Sequence, residues 1–254
     1  MKFDSKLPDK NYLHELVMDF KNKHPREIIR WAVDWFGERL FIVTSLQINT
    51  IAILDMAYKL NPNIHVITID TGRLPDSTIE YQFKIRKLYP EANWKVVSPD
   101  QQEVDKMVKE KGRDLFYESV ANRYQCCNIR KVRPLTKALN EADAWISGLR
   151  RDQWATRSSV EKIETDHKHG GIIKLNPLAD WTEEDVWAYL CRHKVPAHPL
   201  YKKGYTSIGC APCSRPVQGN KEKRIGRWWW EQDAPKECGI NCRIQINELK
   251  AHSE

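Results

Sequence analysis

The sequence lacks several features that would assign it to common protein classes. It has no apolar run near 18 residues, the length that a bilayer-spanning helix requires, so we expect no membrane span. Its first twenty residues are charged and polar and lack the apolar stretch of a signal peptide, which favours a cytoplasmic protein. It has no internal repeat and no low-complexity tract. A chain of 254 residues is still long enough to bury a full core.

Long cationic blocks are also absent, although the chain is basic. The net charge of +7 suits an anionic ligand, and nucleic acid is compatible with it. No segment carries a long uninterrupted run of lysine and arginine, so we expect a smaller anion and no nucleic-acid partner. The seven cysteines are an odd number, and in a reducing compartment they indicate metal or redox chemistry rather than a disulfide framework.

The pattern along the chain predicts an α/β fold. Predicted strands at 39–45, 65–72, 94–99 and 144–150, of which the first two are rich in β-branched residues, alternate with helical patterns at 51–60, 75–89, 100–112 and 129–140. A short strand from residue 172 and a helix starting near Thr182 follow. This alternation predicts a doubly wound, mainly parallel sheet with helices on both faces. From about residue 196 the composition changes, so we predict an α/β domain over 1–195 and an irregular C-terminal lid or tail over 196–254.

Polar and glycine residues follow four of the predicted strands. They are Thr44-Ser45, Asp70-Thr71-Gly72, Ser98 and Ser147-Gly148. Ligands of doubly wound folds bind at the carboxyl ends of the strands, so these residues predict a nucleotide crevice. Strands of any protein also end in turn residues, and this simpler interpretation stays open.

Four cysteines form two pairs that could ligate a metal group. Cys126 and Cys127 are adjacent and precede Arg130, Lys131 and Arg133, while Cys210 and Cys213 form a C-x-x-C motif. Such a motif fits a redox dithiol, half a zinc site or half an iron–sulfur site. Adjacent cysteines have difficulty offering both sulfurs to one zinc ion, whereas a [4Fe–4S] cube presents a separate iron to each. The pattern favours the cluster, and burial without a metal remains the alternative.

A third group of cysteines lies in the second half of the chain. Cys238 in KECGINC precedes Gly239, and nearby arginines would lower its thiol pKa from about 8.5, which makes it a candidate nucleophile. Cys242 is either a resolving thiol or incidental. Cys191 lies within a helical pattern and is predicted to be in the core. The tryptophan run 228–230 is predicted to pack the tail onto the body.

Five arginines lie in the segments that are predicted to surround the crevice. Arg150, Arg151 and Arg157 follow the fourth strand, and Arg224 and Arg227 precede the Cys238 tail. Arginine binds phosphate or sulfate oxygens bidentately, which predicts an anion site. Each arginine taken singly is compatible with a solvated surface.

Five motifs together resemble the assimilatory adenylyl-sulfate and phosphoadenylyl-sulfate reductases. Between residues 39 and 242 they read CCNIRKVRPL, SGLRRDQWATRSS, NPLADWTEEDVWAYL, PLYKKGYTSIGCAPCSRPV and GRWWWE…KECG. The resemblance implies an adenine nucleotide α-hydrolase-like domain and a C-terminal tail whose cysteine does the chemistry. It further implies thiol-dependent reduction of adenylyl sulfate to sulfite and AMP, through an S-sulfocysteine, in assimilatory sulfate reduction. Because both cysteine pairs are present, adenylyl sulfate is implied rather than its 3′-phosphorylated form.

The resemblance also implies roles for individual residues. Cys238 matches the nucleophile, and a [4Fe–4S] cluster is implied on Cys126, Cys127, Cys210 and Cys213. The predicted substrate site comprises Thr44, Ser45, Ile69, Asp70, Thr71, Gly72, Lys131, Gly148, Arg150, Arg151, Arg157, Arg224 and Arg227.

Two departures from the family pattern affect this prediction. Asn241 stands where the family usually has a histidine, in E-C-G-L-H or E-C-G-I-H, so a proton-handling role there is not expected. The first loop, TSLQINT, lacks a glycine often found in the family. Without the glycine, the backbone of this loop is expected to approach the phosphate less closely. We expect the hydroxyls of Thr44 and Ser45 to compensate by contacting the phosphate.

A thiol donor is expected to be a separate protein, such as a thioredoxin or a glutaredoxin-like protein, since no redoxin domain is fused to the chain. We also expect a homo-oligomer, either a dimer or a tetramer. The first alternative function is reduction of phosphoadenylyl sulfate, or dual specificity. An iron–sulfur tRNA-thiolating enzyme would need an S-G-G-x-D-S loop, which TSLQINT does not supply. Neither that enzyme nor a metal-stabilised nucleic-acid binder explains the KECG tail.

Overall fold

The fold is built on a six-stranded sheet with the strand order β3-β2-β1-β4-β6-β5. The structure is a computed structural model, and it describes residues 7–219, 224–231 and 234–240. All neighbouring strands run parallel except β5, which is antiparallel to β6. The strands are β1 (Leu40–Thr44), β2 (His65–Ile69), β3 (Asn93–Val97), β4 (Ala144–Ile146), β5 (Ile163–Asp166) and β6 (Ile172–Leu175).

Helices connect the strands and cover the sheet. They are α1 (Lys10–Phe20), α2 (Pro25–Phe36), α3 (Ile48–Tyr58), α4 (Asp76–Leu88), α5 (Gln101–Lys111), α6 (Val120–Cys127), α7 (Arg133–Leu139) and α8 (Glu183–Arg192). A π-helical turn, Asn128–Val132, joins α6 to α7. Within the described ranges, no helix has the length and apolar character needed to cross a membrane.

Alternate residues of β1 belong to cores on opposite faces of the sheet. Leu40 and Ile42 pack in the large cluster that includes α2 and α3, whereas Phe41 packs with Leu135 of α7 in a second cluster. Successive side chains of a strand point to opposite faces, so both faces are covered by helices. The predicted doubly wound, mainly parallel fold is therefore confirmed.

The chain leaves β1 toward β2 on one side and reaches β4 on the other side, so the direction of winding switches between β1 and β4. In doubly wound sheets the ligand crevice lies at the carboxyl end of this switch point. Here that edge carries the residues that follow Thr44 and Ile146. Ser98, after the edge strand β3, does not line the crevice that forms there.

Local structure differs from the sequence prediction in three places. The helices α1 and α2 and the antiparallel strand β5 were not predicted. The helix predicted to start after the cysteine pair begins earlier, since Ser119 caps the N-terminus of α6 and the pair forms its last turn. The predicted fourth strand ends at Ile146, because Ser147 and Gly148 turn into the crevice. The boundary near residue 196 stays a prediction.

Candidate active site

A cavity of about 190 Å³ opens at the carboxyl ends of β1, β2 and β4. We call it the strand-tip cavity. Most of the predicted substrate and catalytic residues line it, namely Thr44, Ser45, Ile69, Thr71, Lys131, Gly148, Arg150, Arg157, Arg224, Arg227 and Cys238. Residues from five separate stretches of the chain thus meet at the switch point of the sheet.

One end of the cavity is formed by neutral loops after the strands. The Thr44 hydroxyl donates to the Thr50 hydroxyl at 2.8 Å and accepts from the Leu46 backbone N–H at 2.9 Å. Leu46 itself adopts a left-handed φ of 59°, in a loop where the family often has a glycine. The Thr44 hydroxyl is therefore engaged in shaping the loop, while the hydroxyl of the exposed Ser45 accepts from the Gln47 side-chain amide at 3.0 Å.

Gly148 allows the loop after β4 to lie against α3. A Cβ atom at this position would be 2.6 Å from Cγ2 of Thr50 and 3.2 Å from the Thr50 backbone nitrogen. The Asn49 side-chain amide donates to the Gly148 carbonyl at 3.0 Å, which holds the loop after β4 against α3. Only glycine permits this close approach without displacing backbone.

The opposite end of the cavity is cationic. Lys131 from the π-helical turn and Arg224 and Arg227 from the segment before the tail all line it, and each is less than 10% exposed. Arg227 lies against Gly209, where a Cβ would be 2.7 Å from the guanidinium carbon, and it donates to the Cys213 carbonyl at 2.9 Å. Buried cations of this kind require an anionic partner, so this end is suited to a phosphate or a sulfate.

Cys238 lies at this cationic end and is half-buried. Burial by itself raises the pKa of its thiol, but the charge of Lys131 and the backbone N–H of Ile240 outweigh burial, so the pKa is lowered. The thiolate is the nucleophilic form of cysteine. The structure thus brings a thiol with raised thiolate content into the same cavity as the cations.

The tail segment, residues 234–240, is held by three arginines. Arg123 of α6 is fully buried and donates to the carbonyls of Glu237 at 2.5 Å and Pro235 at 3.1 Å. Arg224 donates to the Lys236 carbonyl at 2.9 Å. Arg157 binds the Glu237 carboxylate through two hydrogen bonds of 2.7 and 2.8 Å.

Arg123 and Glu237 were not predicted from the sequence. A signal for Arg123 exists, since it lies three residues before Cys126 and so on the same face of the helix. Glu237 could have been noticed as the residue that immediately precedes the predicted nucleophile. Neither signal indicates which residue the side chain binds, because their partners lie about 80 to 114 residues away.

The four predicted metal ligands come together in a second, smaller cavity. Cys126, Cys127, Cys210 and Cys213 all line it and are all reduced and buried. Trp228 lies beside them in the same hydrophobic cluster and is flanked by the guanidinium groups of Arg123 at 4.4 Å and Arg227 at 4.5 Å. We call this the cysteine pocket.

The chemistry of the cysteine pocket fits an anionic thiolate cluster. Burial raises the pKa of the Cys126, Cys127 and Cys213 thiols and so disfavours their thiolate form, but the positive charge of Lys131 opposes this effect at each of them. The pKa of Cys210 is lowered, since Lys131 and the Thr71 hydroxyl, 3.3 Å from its sulfur, outweigh its burial. In the part of the chain that is described, no three His, Cys, Asp or Glu side chains converge on the site of a single metal ion. The fit to a cluster therefore rests on four thiols around one enclosed cavity beside Lys131 and Arg227.

Three predicted substrate residues lie outside the strand-tip cavity. Asp70 accepts from the Gly72 backbone N–H at 2.9 Å, and Gly72 has a φ of 68°, so these two residues form the turn after β2. Arg151 points away, donating to the Val160 carbonyl at 2.8 Å and lying 3.8 Å from Glu161.

Arg150 lines the cavity, but its guanidinium is engaged with Asn49 and Asp152. Cys191 was predicted to be in the core and is exposed on α8. Asn241 and Cys242 lie outside the described residues.

Comparison with known proteins identifies the family. Residues 39–216 match the model of the phosphoadenosine phosphosulfate reductase domain. An adenosine 5′-phosphosulfate reductase from Pseudomonas aeruginosa (strain LESB58) is 40% identical over 93% of this chain and 89% of its own length. The protein of that name from Burkholderia cepacia is 46% identical over 75% of each chain.

A solved structure gives the same result at the level of the fold. The crystal structure of phosphoadenylyl-sulfate reductase from Candida auris, in a phosphate complex, superposes with a TM-score of 0.68 at 28% identity. The match covers 81% of this chain and 97% of that one. The resemblance found in the motifs is confirmed, and this chain belongs to the phosphoadenosine phosphosulfate reductase family, with curated relatives that are adenosine 5′-phosphosulfate reductases.

Proposed function

We propose that this protein reduces adenylyl sulfate to sulfite and AMP, using a thiol donor and the sulfur of Cys238. The observation that carries the proposal is the position of Cys238 in the strand-tip cavity together with Lys131, Arg224 and Arg227. The names of its curated relatives support this substrate.

The two ends of the cavity have different tasks in this proposal. The neutral end, with Thr44, Ser45 and Gly148, accommodates the nucleoside part of the substrate at the switch point of the sheet. The cationic end receives the phosphosulfate, whose negative charges require buried cations. The substrate then spans the cavity with its sulfur directed toward Cys238.

The first chemical step is attack of the Cys238 thiolate on the sulfate sulfur. A bond forms between the two sulfur atoms, and the bond from sulfur to the bridging oxygen breaks. The electron pair of that bond leaves with AMP, and Cys238 retains an S-sulfonate. Thiolate and sulfate repel each other, so Lys131 and the arginines are needed to neutralise the sulfate oxygens and the leaving phosphate.

The second step requires a dithiol donor of the thioredoxin or glutaredoxin class. A donor thiolate attacks the Cys238 sulfur and expels sulfite with the electron pair of the sulfur–sulfur bond. The second donor thiol resolves the mixed disulfide and returns Cys238 to its thiol form. The donor dithiol is oxidised to a disulfide while the sulfur is reduced from sulfate to sulfite.

We further propose that Cys126, Cys127, Cys210 and Cys213 hold a [4Fe–4S] cluster. Their enclosed pocket and the neighbouring Lys131 and Arg227 support this assignment. When bound, the cluster would supply fixed charge and rigidity beside the cavity, since thiol chemistry already accounts for both electrons. A homo-oligomer, either dimer or tetramer, and a cytoplasmic location complete the proposal.

The decisive experiment compares the two nucleotides on iron-replete protein. Sulfite release is measured with adenylyl sulfate and with its 3′-phosphorylated form, using reduced thioredoxin as the donor. We expect turnover of adenylyl sulfate, and formation of a sulfonated protein when the donor is omitted. If only the 3′-phosphorylated form is turned over, the substrate assignment is wrong. If the Cys238→Ser variant still gains the mass of a sulfonate, the nucleophile is wrong.

A further inference from the structure

We infer that Glu237 is a positioning residue, which locks the tail onto the body through Arg157 and so holds Cys238 in the strand-tip cavity. The inference deepens the proposed function and rests on it for the role of Cys238. Glu237 immediately precedes Cys238 and belongs to the tail segment, whereas Arg157 belongs to the segment that follows β4. The pair therefore joins two parts of the chain that are 80 residues apart.

The geometry of the pair is that of a strong, specific contact. Nε of Arg157 donates to one carboxylate oxygen of Glu237 at 2.7 Å, and its Nη2 donates to the other oxygen at 2.8 Å. Thr156 adds a donor hydroxyl at 3.3 Å, and Nη2 of Arg224 lies 3.6 Å from the carboxylate. Bidentate pairs of this kind fix direction as well as distance.

Glu237 is 3% exposed, so its carboxylate is tolerated only while it is paired. Burial raises the pKa of Glu237, but Arg224 and Arg157 outweigh burial and hold it below its usual range. The carboxylate therefore remains charged when the tail is docked.

The remaining contacts of the tail do not select a position for Cys238 in the same way. Arg123 and Arg224 bind carbonyl groups of the tail, which any sequence would offer. The Lys236 ammonium donates to carbonyls of residues 228 and 231, within the terminal segment itself. Glu237 thus supplies a side-chain contact from the tail segment to Arg157, in the segment that follows β4.

The backbone on the other side of Cys238 is different. Gly239 has a φ of 84°, a conformation that side chains rarely adopt, and a Cβ there would meet its first neighbour only at 3.7 Å. The nucleophile is therefore fixed on its N-terminal side by the ion pair and followed by a residue with wide conformational freedom. The thiol donor must reach Cys238 after sulfonation. Opening of the ion pair between Glu237 and Arg157 would give it that access in the second step.

The lock also affects how the arginines are used. While the tail is docked, Arg157 directs two donors to Glu237 and a third to Gln153. Arg157 then acts on the reaction through Glu237, and the phosphosulfate is left to Lys131, Arg224 and Arg227. Glu237 itself does not line the strand-tip cavity, so its paired carboxylate does not compete with the anionic substrate for the cavity.

The test uses the full-length, iron-replete protein and the variant Glu237→Gln, which keeps the size of the side chain and removes its charge. Glu237→Asp serves as the conservative variant, and Glu141→Gln, which breaks the exposed pair with Lys95, is the matched control. Without substrate, alkylation of Cys238 by iodoacetamide is followed by mass mapping, resolved by fragmentation because Cys242 lies in the same peptide. Rates are compared over a pH series, because removing the Glu237 charge also lowers the pKa of the Cys238 thiol. On the high-pH plateau, where the thiol is fully ionised, we expect Cys238 of Glu237→Gln to react at least about tenfold faster, because a broken buried pair weakens docking.

A second measurement separates positioning from substrate affinity. The rate of Cys238 sulfonation is measured in a single turnover at saturating adenylyl sulfate without a donor. We expect Glu237→Gln to be slowed at least about tenfold, with Glu237→Asp intermediate, Glu141→Gln unchanged and the dissociation constant for AMP within about twofold of the parent value. Equal alkylation and equal sulfonation rates in the parent and Glu237→Gln would overturn the inference, as would a loss confined to affinity. If the parent protein forms no sulfonate, the proposed function fails, while the alkylation experiment still decides the role of Glu237.

Discussion

The two ends of the strand-tip cavity are assembled in different ways. The neutral end consists of loops that directly follow β1, β2 and β4, and its contacts, such as Thr44 to Thr50, are local. The cationic end brings the π-helical turn together with residues 224–227 and the tail. Its bonds join positions such as Arg123 and Glu237, which are 114 residues apart.

The two ends are therefore expected to have separate roles, the neutral end in nucleotide binding and the cationic end in sulfur transfer. The neutral end depends on the sheet, so changes there alter stability and nucleotide affinity. The cationic end depends on buried charges and on docking of the tail, so changes there alter the rate of sulfur transfer. The following experiments test that separation.

Replacing the proposed nucleophile is expected to have the largest effect. Cys238→Ser should lower sulfite release by at least about a thousandfold, because a hydroxyl is a far weaker nucleophile than a thiolate. Its dissociation constant for AMP, measured by calorimetry, should stay close to that of the parent protein. A large loss of AMP binding would contradict the separation of the two ends.

Removing one thiol of the cysteine pocket is expected to have the next largest effect. Cys210→Ser should lose iron, visible absorbance and sulfite release together, because this thiol belongs to the proposed ligand set and contacts Thr71 at 3.3 Å. The control is Cys191→Ser, at an exposed position on α8, which should retain all three. Full activity in iron-free Cys210→Ser would argue that the pocket is dispensable.

Neutralising Lys131 tests the charge at the cationic end. Lys131→Gln should slow sulfonation of Cys238 about 100-fold to 1000-fold, since a buried cation beside the reacting groups is lost. Lys131→Arg should recover part of the rate, and Lys137→Gln, at an exposed position on α7, should behave as the parent protein. An unchanged single-turnover rate in Lys131→Gln would show that the charge of Lys131 does not assist sulfonation.

Adding a methyl group tests the neutral end. Gly148→Ala should lower the free energy of unfolding by about 1–3 kcal/mol and weaken AMP binding, because its Cβ would lie 2.6 Å from Cγ2 of Thr50. Urea unfolding and calorimetry measure the two effects. The added substitution Thr50→Ser removes that methyl contact and should restore part of the stability. No recovery would show that the backbone contact alone is limiting.

The smallest effect is expected at Arg151. Arg151→Gln should change sulfite release by less than about twofold, because its side chain points away from the cavity toward an exposed glutamate. If Arg151→Gln lost as much activity as Lys131→Gln, Arg151 would belong to the anion site after all.

Much of the fold was predictable from the sequence because it depends on local patterns. The runs around β1, β2 and β3 alternate with helical patterns, of which α3 is buried along nearly its whole length, and this alternation determines a doubly wound sheet. The strand β5 was missed because it is only four residues long. Most of the sequence signal for the hairpin comes from its pairing partner, β6. The helices α1 and α2 both precede β1, so the alternation of strands and helices does not predict them.

The site was predictable as a set of residue types and less so as a set of contacts. The arginines at 150 and 151 are adjacent in sequence and equally basic, yet one lines the cavity and the other faces Glu161. Thr44 was expected to serve a phosphate, but its hydroxyl is occupied by Thr50 and Leu46. Adjacent side chains diverge at a turn, and hydrogen bonds within a loop cannot be read from composition.

The sequence by itself determined the family and the sheet, and it predicts Cys238 as the nucleophile and the two pairs of cysteines as ligands, because these follow from motifs and periodicity. Only the tertiary structure decided which cations share a cavity with Cys238 and that Glu237 occupies Arg157. Such buried ion pairs join residues far apart in the chain, and their energy depends on distance and desolvation, which exist only after the chain has folded.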